Sequence, residues 1–455
     1  MSCVTRIAAY LLGIAAMLLG LPGATLARIE LEPVQHVYPD STYQEIQQAI
    51  DNGGTVYFHR LTRLTGQYGE YDQIASSTPD VPATSMAAAR DKGFFIGKFG
   101  KDVDIIGILA PNGSRPKING GTVVFRVGIF ARMGILGLPV NFRIENLELA
   151  NPDMADAPLM KSRIGIMVVS VLGAQSIINN CKFTIIGKQT DPGHQNNHSV
   201  AIWYYLVNSS SATPPVNGAR IDITNNTVIA SGVHEGIHVD NYWPVTPGYT
   251  APRTFVSNNT LHLRNLCGYP NQNGTNGATV GAGILVVGNL SDSIVTNNAI
   301  TGDGRSPGLT PRVESVAVRL GRAGAAGTGS GDQSLSNVTV AGNDFSSFAS
   351  DFHLLIGSVV VGSTIGRNSI GPADRAGVMC DGHDNQFVNN HFYGPYLGWA
   401  PPASGPGLFW FTTISSNNTV EATKLNGPSE GADICGQVLD ESVAANNIRG
   451  YEKCR

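Results

Sequence analysis

Charge is scarce in this chain. Only 14% of its 455 residues are Asp, Glu, Lys or Arg, and the formal net charge is −4. Nothing forms a basic stripe, which argues against a nucleic-acid partner and leaves a nearly neutral surface rich in Asn, Gly, Ser and Thr that suits sugars better. No helix-length apolar period separates the short strands of the middle and C-terminal parts, which excludes βαβ units and leucine-rich or ankyrin arrays. Beyond Leu21 no stretch approaches the roughly 18 apolar residues of a membrane helix, so the mature chain is expected to have no transmembrane span. Neither a paired CxxC nor a P-loop is present, and no metal ligand set is assigned.

What the sequence does have begins with Arg6, an apolar run from Ile7 to Leu21, and small residues ending at Ala24-Thr25-Leu26-Ala27. Residues 1–27 thus read as a secretory signal peptide cleaved after Ala27, with a retained anchor as the alternative, and the product is expected to be secreted or periplasmic. Cys3 leaves with the signal. Of the remaining cysteines, Cys181 and Cys380 read as core packing, while Cys435 and Cys454 could close the C-terminal coil, although sequence does not fix the pairing.

A short phrase then returns down the chain: a β-branched pair, asparagine, another apolar strand. It appears at Ile177-Ile178-Asn179-Asn180, Ile223-Thr224-Asn225-Asn226, Val256-Ser257-Asn258-Asn259, Val295-Thr296-Asn297-Asn298, Phe387-Val388-Asn389-Asn390 and, with one residue more, Ile414-Ser415-Ser416-Asn417-Asn418. It appears also at Val340-Ala341-Gly342-Asn343, and with weaker copies at Asn119, Asn146, Asn368 and Asn447 the markers stand 22 to 46 residues apart. The floor is one coil and the excess is loop. A second phrase, Gly or Ala before apolar residues, precedes each marker, as in Gly165-Ile166-Met167-Val168, Gly236-Ile237-His238-Val239 and Gly283-Ile284-Leu285-Val286. Asparagine tolerates a left-handed corner, and its amide can bond to the same group one coil above and below.

These repeats, over roughly residues 100–450, resemble a right-handed parallel β-helix of the pectin-lyase-like superfamily. Tyr43–Asp51 followed by Gly53-Gly54-Thr55-Val56-Tyr57-Phe58 resembles that superfamily's capping helix and first strand. The fold expected is all-β, a single-stranded right-handed parallel β-helix of about ten coils with a short N-terminal capping helix. Residues 28–100 form the cap and first strands, and 101–455 the helix domain, with long loops at 187–199, 208–220, 242–253 and 267–280. A solenoid grows by adding coils, so one long domain is natural, and a monomer is expected.

Alternation places Met167, Val169, Trp203, Tyr205, His238, Asp240, Leu285, Val287 and Arg319 on one outer face, with His353, Met379, Asp381 and Phe409 continuing it. His234-Glu235-Gly236-Ile237-His238-Val239-Asp240 is the densest titratable patch. There Asp240 can orient or tune His238, Tyr205 should flank Asp240, and Arg319 should lie roughly 10 Å from His238, two coils on. Glu235 should alternate to the inner side unless a bulge turns it. Trp203 can supply a stacking platform for sugars, and the long loops would wall a groove with His194 and Trp243. Asp381-Gly382-His383-Asp384 could hold calcium, the one cofactor left open, or could equally be a strand-end turn.

Alginate lyases and C5-epimerases of this fold use His, Asp, Tyr and Arg around one groove. The set His238, Asp240, Tyr205 and Arg319 is similar, although their Asp-Pro-His-Asp motif is missing, as are the Asn-Thr-Asp, Asp-Asp and Gly-His-Gly signatures of polygalacturonase-like hydrolases. The resemblance implies an exported enzyme acting on a polysaccharide, a lyase or C5-epimerase on a uronic-acid polymer. The alternatives are a non-catalytic glycan-binding or envelope scaffold and, less favoured, a glycoside hydrolase.

Overall fold

The structure is a computed structural model that describes residues 33–72, 93–120, 123–131, 134–151, 163–169, 172–187, 199–206, 215–243, 247–267, 269–273, 279–306, 313–321, 334–393, 407–426, 438–442 and 446–448. The signal segment, His194, Cys435 and Cys454 lie outside the described residues.

Among the described residues there is one helix, α1 (Tyr43–Asn52), near the N-terminal end. Thr42 caps it reciprocally: its hydroxyl accepts the Glu45 N–H while the Glu45 carboxylate accepts the Thr42 N–H. Gly53 ends it with φ 73, where a Cβ would stand 2.8 Å from that of Lys101. The buried stripe Ile46, Ala49 and Ile50 packs into the main core, and Tyr43 stacks on Phe94 at 5.2 Å. Val34–Val37 and Gly54–His59, on either side of α1, pair in parallel and start the solenoid.

Parallel strands then stack coil upon coil in three series. The first sheet has 13 strands from Val34–Val37 to Asn447–Ile448. A second series contains Lys182–Ile186, Thr227–Ser231, Thr260–Arg264 and Ala299–Asp303 in register. A third contains Ile164–Val169, Val200–Leu206, Glu235–Asn241, Thr279–Gly288, Val313–Leu320, Phe348–Ile356, Ala373–Cys380 and Gly407–Phe411. One continuous core runs inside, from Val37 through Ile178, Ile237 and Val340 to Val420. This is a right-handed parallel β-helix.

The corner between first and second sheets explains the asparagines, and it splits their two expected roles between successive residues. The first of each pair takes the left-handed conformation, as at Asn225 (φ 57), Asn258 (φ 57), Asn297 (φ 54) and Asn389 (φ 54). The second forms the ladder. Asn226, Asn259, Asn298, Asn343 and Asn368 each donate Nδ2–H to the next Oδ1 at 2.9–3.0 Å, with Asn390 as the final acceptor. Each Nδ2 also donates to a strand carbonyl one coil back, such as Ile178 for Asn226 and Val256 for Asn298. Each Oδ1 accepts a backbone N–H as well, so these buried amides are fully committed.

One expectation is corrected here. Asn418 does not continue the Asn390 column; it joins Asn385 and Asn446 in a ladder at a different corner, before the first sheet, with Asp384 and Asn417 in the left-handed position. The Asn390 column passes instead to Thr423, whose preceding residue Ala422 has φ 51 and whose following residue Lys424 donates its N–H to Asn390 O. Both corners are written Asn-Asn because both need the same turn.

Cys181, Cys267 and Cys380 are buried and unbridged. Burial pushes the Cys181 thiol up to about 12. Among the described residues no helix is long and apolar enough to cross a membrane.

Candidate functional site

The third sheet's outer face carries the candidate residues, and its register follows from packing. Ile166, Val168, Ile202, Tyr204, Ile237, Val239, Ile284 and Val286 face the core, while Met167, Val169 and Trp203 form a separate outer cluster with Ile164 and Val200. Arg126, Met167, Trp203, His238, Leu285, Arg319, Leu355, Met379 and Trp410 stand in one column across successive strands. A second column reads Val169, Tyr205, Asp240 and Val287. Tyr205 therefore lies directly beside Asp240, and Arg319 two strands from His238, as spacing indicated.

Glu235 departs from the simple alternation. Val200 faces outward, yet Ala201 and Ile202 both pack into the core, so each strand kinks at this point. In the next coil the kink falls at Gly236, where a Cβ would meet core side chains of Leu261 and Leu263. Glu235 is consequently turned outward, in register with Val200 and Ala282. The kink also corrects two other placements. His353 occupies the inward position beside Ala317, where its Nε2 lies 3.0 Å from Phe348 O and burial pushes its pKa down to about 4. Phe409 packs in the core, and Trp410 takes the outer place.

The result is a carboxylate–imidazole–carboxylate row. Glu235 Oε2 lies 3.6 Å from His238 Nδ1, and Asp240 Oδ2 lies 3.2 Å from His238 Nε2. All three are buried, with relative exposures of 0%, 3% and 2%. Burial alone would lower the His238 pKa, but the charges of Asp240 and Glu235 outweigh it and hold it at about 9. The imidazole is thus charged at neutral pH. Trp203 stacks over it at 5.9 Å, and Tyr205, half-buried, packs against Trp203 at 5.2 Å and edge-on to Tyr242 at 5.8 Å.

Other candidates lie farther off. Arg319 is fully buried between Leu285 and Leu355 in its column, and its Nε donates to Gly321 O at 3.1 Å. Trp243 is half-buried against the core; its indole N–H and one oxygen of Asp240 are buried without a hydrogen-bond partner. Arg126, in the His238 column, escaped the sequence reading because Phe125-Arg126-Val127 has no Gly-apolar phrase before it. So did Glu314 and Arg375, an ion pair on the same face, with Arg375 over the rings of Phe352 and Trp410.

Metal binding was tested against the geometry. His234-Glu235-Gly236-Ile237-His238 spells H-E-x-x-H, a zinc signature only where a helix brings both imidazoles to one face. Here the second half lies on a strand, the two histidines are separated by about four strand residues at roughly 3.3 Å each, and His234 Nδ1 accepts the Ser199 N–H. Asp381 accepts from Thr412 Oγ1, while Asp384 pairs with His383, so their carboxylates serve different partners. Among the described residues no three of His, Cys, Asp and Glu are grouped to hold a metal.

No family model matches the chain, and no curated protein matches it. Solved structures do. A Streptococcus pneumoniae surface adhesin, PfbA, aligns with 12% identity over 89% of each chain at a TM-score of 0.41. The A-module of the Azotobacter vinelandii mannuronan C-5 epimerase AlgE4 aligns with 12% identity over 90% of this chain and 94% of its own, at 0.35. A lacto-N-biosidase from Eubacterium ramulus aligns with 12% identity over 89% of this chain and 69% of its own, at 0.38.

Proposed function

We propose that this chain is an exported polysaccharide-active β-helix protein, a lyase or C5-epimerase acting on a uronic-acid polymer. The observation that carries the reading is the buried Glu235–His238–Asp240 row. The neighbouring coils fill the same three columns with Val200, Ala282, Trp203, Leu285, Tyr205 and Val287, none of them charged like the row. A β-helix needs no charge there, and burying it costs stability, so chemistry is the reason to keep it.

In this reading Tyr205, beside Asp240 and partly open, takes the base position at C5. His238, held as an imidazolium, takes the acid position and offsets charge growing on the uronate. Asp240 and Glu235 keep that ring charged and oriented. Trp203, Tyr242 and Trp243 offer ring surface to sugars, and the uncommitted Asp240 oxygen suits a sugar hydroxyl. Arg319 contributes by its field from two strands away, since Leu285 stands between it and His238.

One observation favours glycoside hydrolysis as a second reading. Because Glu235 faces outward, two carboxylates flank the site one imidazole ring apart, a separation of the order hydrolases use, about 5–9.5 Å. The deciding experiment incubates the purified chain with a panel of uronate polymers, with and without calcium. Ultraviolet absorbance reports unsaturated uronate, NMR reports epimerisation, and reducing ends without unsaturation report hydrolysis. Unsaturated or epimerised product, lost in His238→Ala and Tyr205→Phe, supports the reading. Reducing ends alone would transfer it to hydrolysis, and no product on any polymer would leave a binding scaffold.

A further inference from the structure

On the outer face of the first sheet, two imidazoles stand together that nothing above uses. We propose that His36 and His59 form a binding site for a divalent transition-metal ion such as zinc or copper. His36 lies in Val34–Val37, and His59 ends the adjoining strand Gly54–His59. The register sets His36 opposite Tyr57, so His59 follows diagonally on the same face. His36 Nδ1 and His59 Nε2 are 2.9 Å apart. Two nitrogens bound to tetrahedral zinc at about 2.0–2.1 Å stand roughly 3.3 Å from each other, so a shift of a few tenths of an ångström admits the ion.

Both rings are already held. His36 stacks on Tyr57 at 5.3 Å, and His59 stacks on Tyr38 at 4.4 Å with an interplanar angle of 13°. His36 is exposed, so an ion has access and water can complete its coordination. Paired imidazole donors suit zinc, copper and nickel rather than calcium or magnesium. The nearby charges are Arg63, over the Tyr38 ring, and Asp40, whose carboxylate accepts the Arg63 N–H.

The location gives the ion a task. Among the described residues, Val34–Val37 stands at the end of its sheet and pairs with Gly54–His59 alone. A metal bridging His36 and His59 would tie that edge to the next coil, so the site is structural and independent of the Glu235–His238–Asp240 row.

The test is calorimetric titration of the full chain with zinc chloride in chelator-free buffer, together with thermal unfolding. One strong equivalent is expected, weakened at least tenfold in His36→Gln and in His59→Gln and unchanged in His383→Gln, which removes an exposed imidazole elsewhere. Zinc should raise the unfolding temperature of the parent chain and of His383→Gln, and not that of His36→Gln or His59→Gln. His36 is exposed, so His36→Gln should fold even if His59→Gln does not. Undiminished binding by His36→Gln, or no zinc uptake by the folded parent, overturns the assignment.

Discussion

Nε2 of His238 lies 3.2 Å from Oδ2 of Asp240, in a position where neither residue is more than 3% exposed. Glu235 closes the row from the other side. An imidazolium between two carboxylates can hold itself together in low dielectric, but only while all three are present.

Removing one member should therefore cost more than removing all. Asp240→Asn or Glu235→Gln leaves an incompletely matched charge and is expected to destabilise the fold by about 3–5 kcal/mol. The triple substitution Glu235→Val, His238→Leu, Asp240→Val copies the neighbouring coils and should come out neutral or more stable by about 1–4 kcal/mol. Denaturant midpoints decide it, and a triple variant weaker than every single variant would sink the argument. Any turnover should vanish in all of them.

The same row gives a pH dependence with a definite sign. His238 is raised in the fold to about 9 from an ordinary value of 6.5, so its contribution is complete below about pH 6.5 and lost as pH rises through 9. The loss amounts to about 3 kcal/mol across that window. Chemical unfolding at pH 6 and at alkaline pH should show the decline in the parent chain and not in the triple apolar variant. An equal decline in both would mean that His238 is not the titrating group.

The two asparagines of a corner should respond differently to glycine: the first tolerates it and the second does not. Asn297 holds φ 54, so Asn297→Gly should be nearly neutral and Asn297→Ala should cost about 1–2 kcal/mol. Asn298 is a ladder amide, so Ala and Gly both strip its bonds to Val256 O and Asn343 Oδ1 and cost about 1–3 kcal/mol or more. If Asn298→Ala proves as mild as Asn297→Gly, the ladder does not stabilise the coil.

Local chemistry made the fold legible. A left-handed corner and an amide ladder need asparagine, and a packed coil needs the apolar residues of Ile237 and Val239, so the repeat could be read without partners. Alternation also brought Tyr205 beside Asp240 correctly. What it could not show was the kink, because Val200-Ala201-Ile202 is apolar on both sides of it. Glu235, His353 and Phe409 were misplaced by that one change of face. Nor could spacing separate the two Asn-Asn corners, since the same backbone conformation selects the same residues at each. The burial of Arg319 depends on what covers the outer face, which no pattern within its own strand records.

Gly236 is the residue on which the site's geometry turns. A Cβ there would stand 2.7 Å from Gly283 O and 2.8 Å from Leu261 Cδ2. The leucine can swing aside, but the carbonyl is fixed by the next strand. Ala201 and Ala317 fill the same column in other coils, so a methyl is tolerable only with local adjustment. Gly236→Ala is thus expected to destabilise by about 1–3 kcal/mol and to move Glu235 relative to His238. With one carboxylate withdrawn, the His238 pKa should fall from about 9 toward its ordinary value. Imidazole NMR titration of the variant reads this directly, and an unshifted His238 would show that the kink does not hold the row in place.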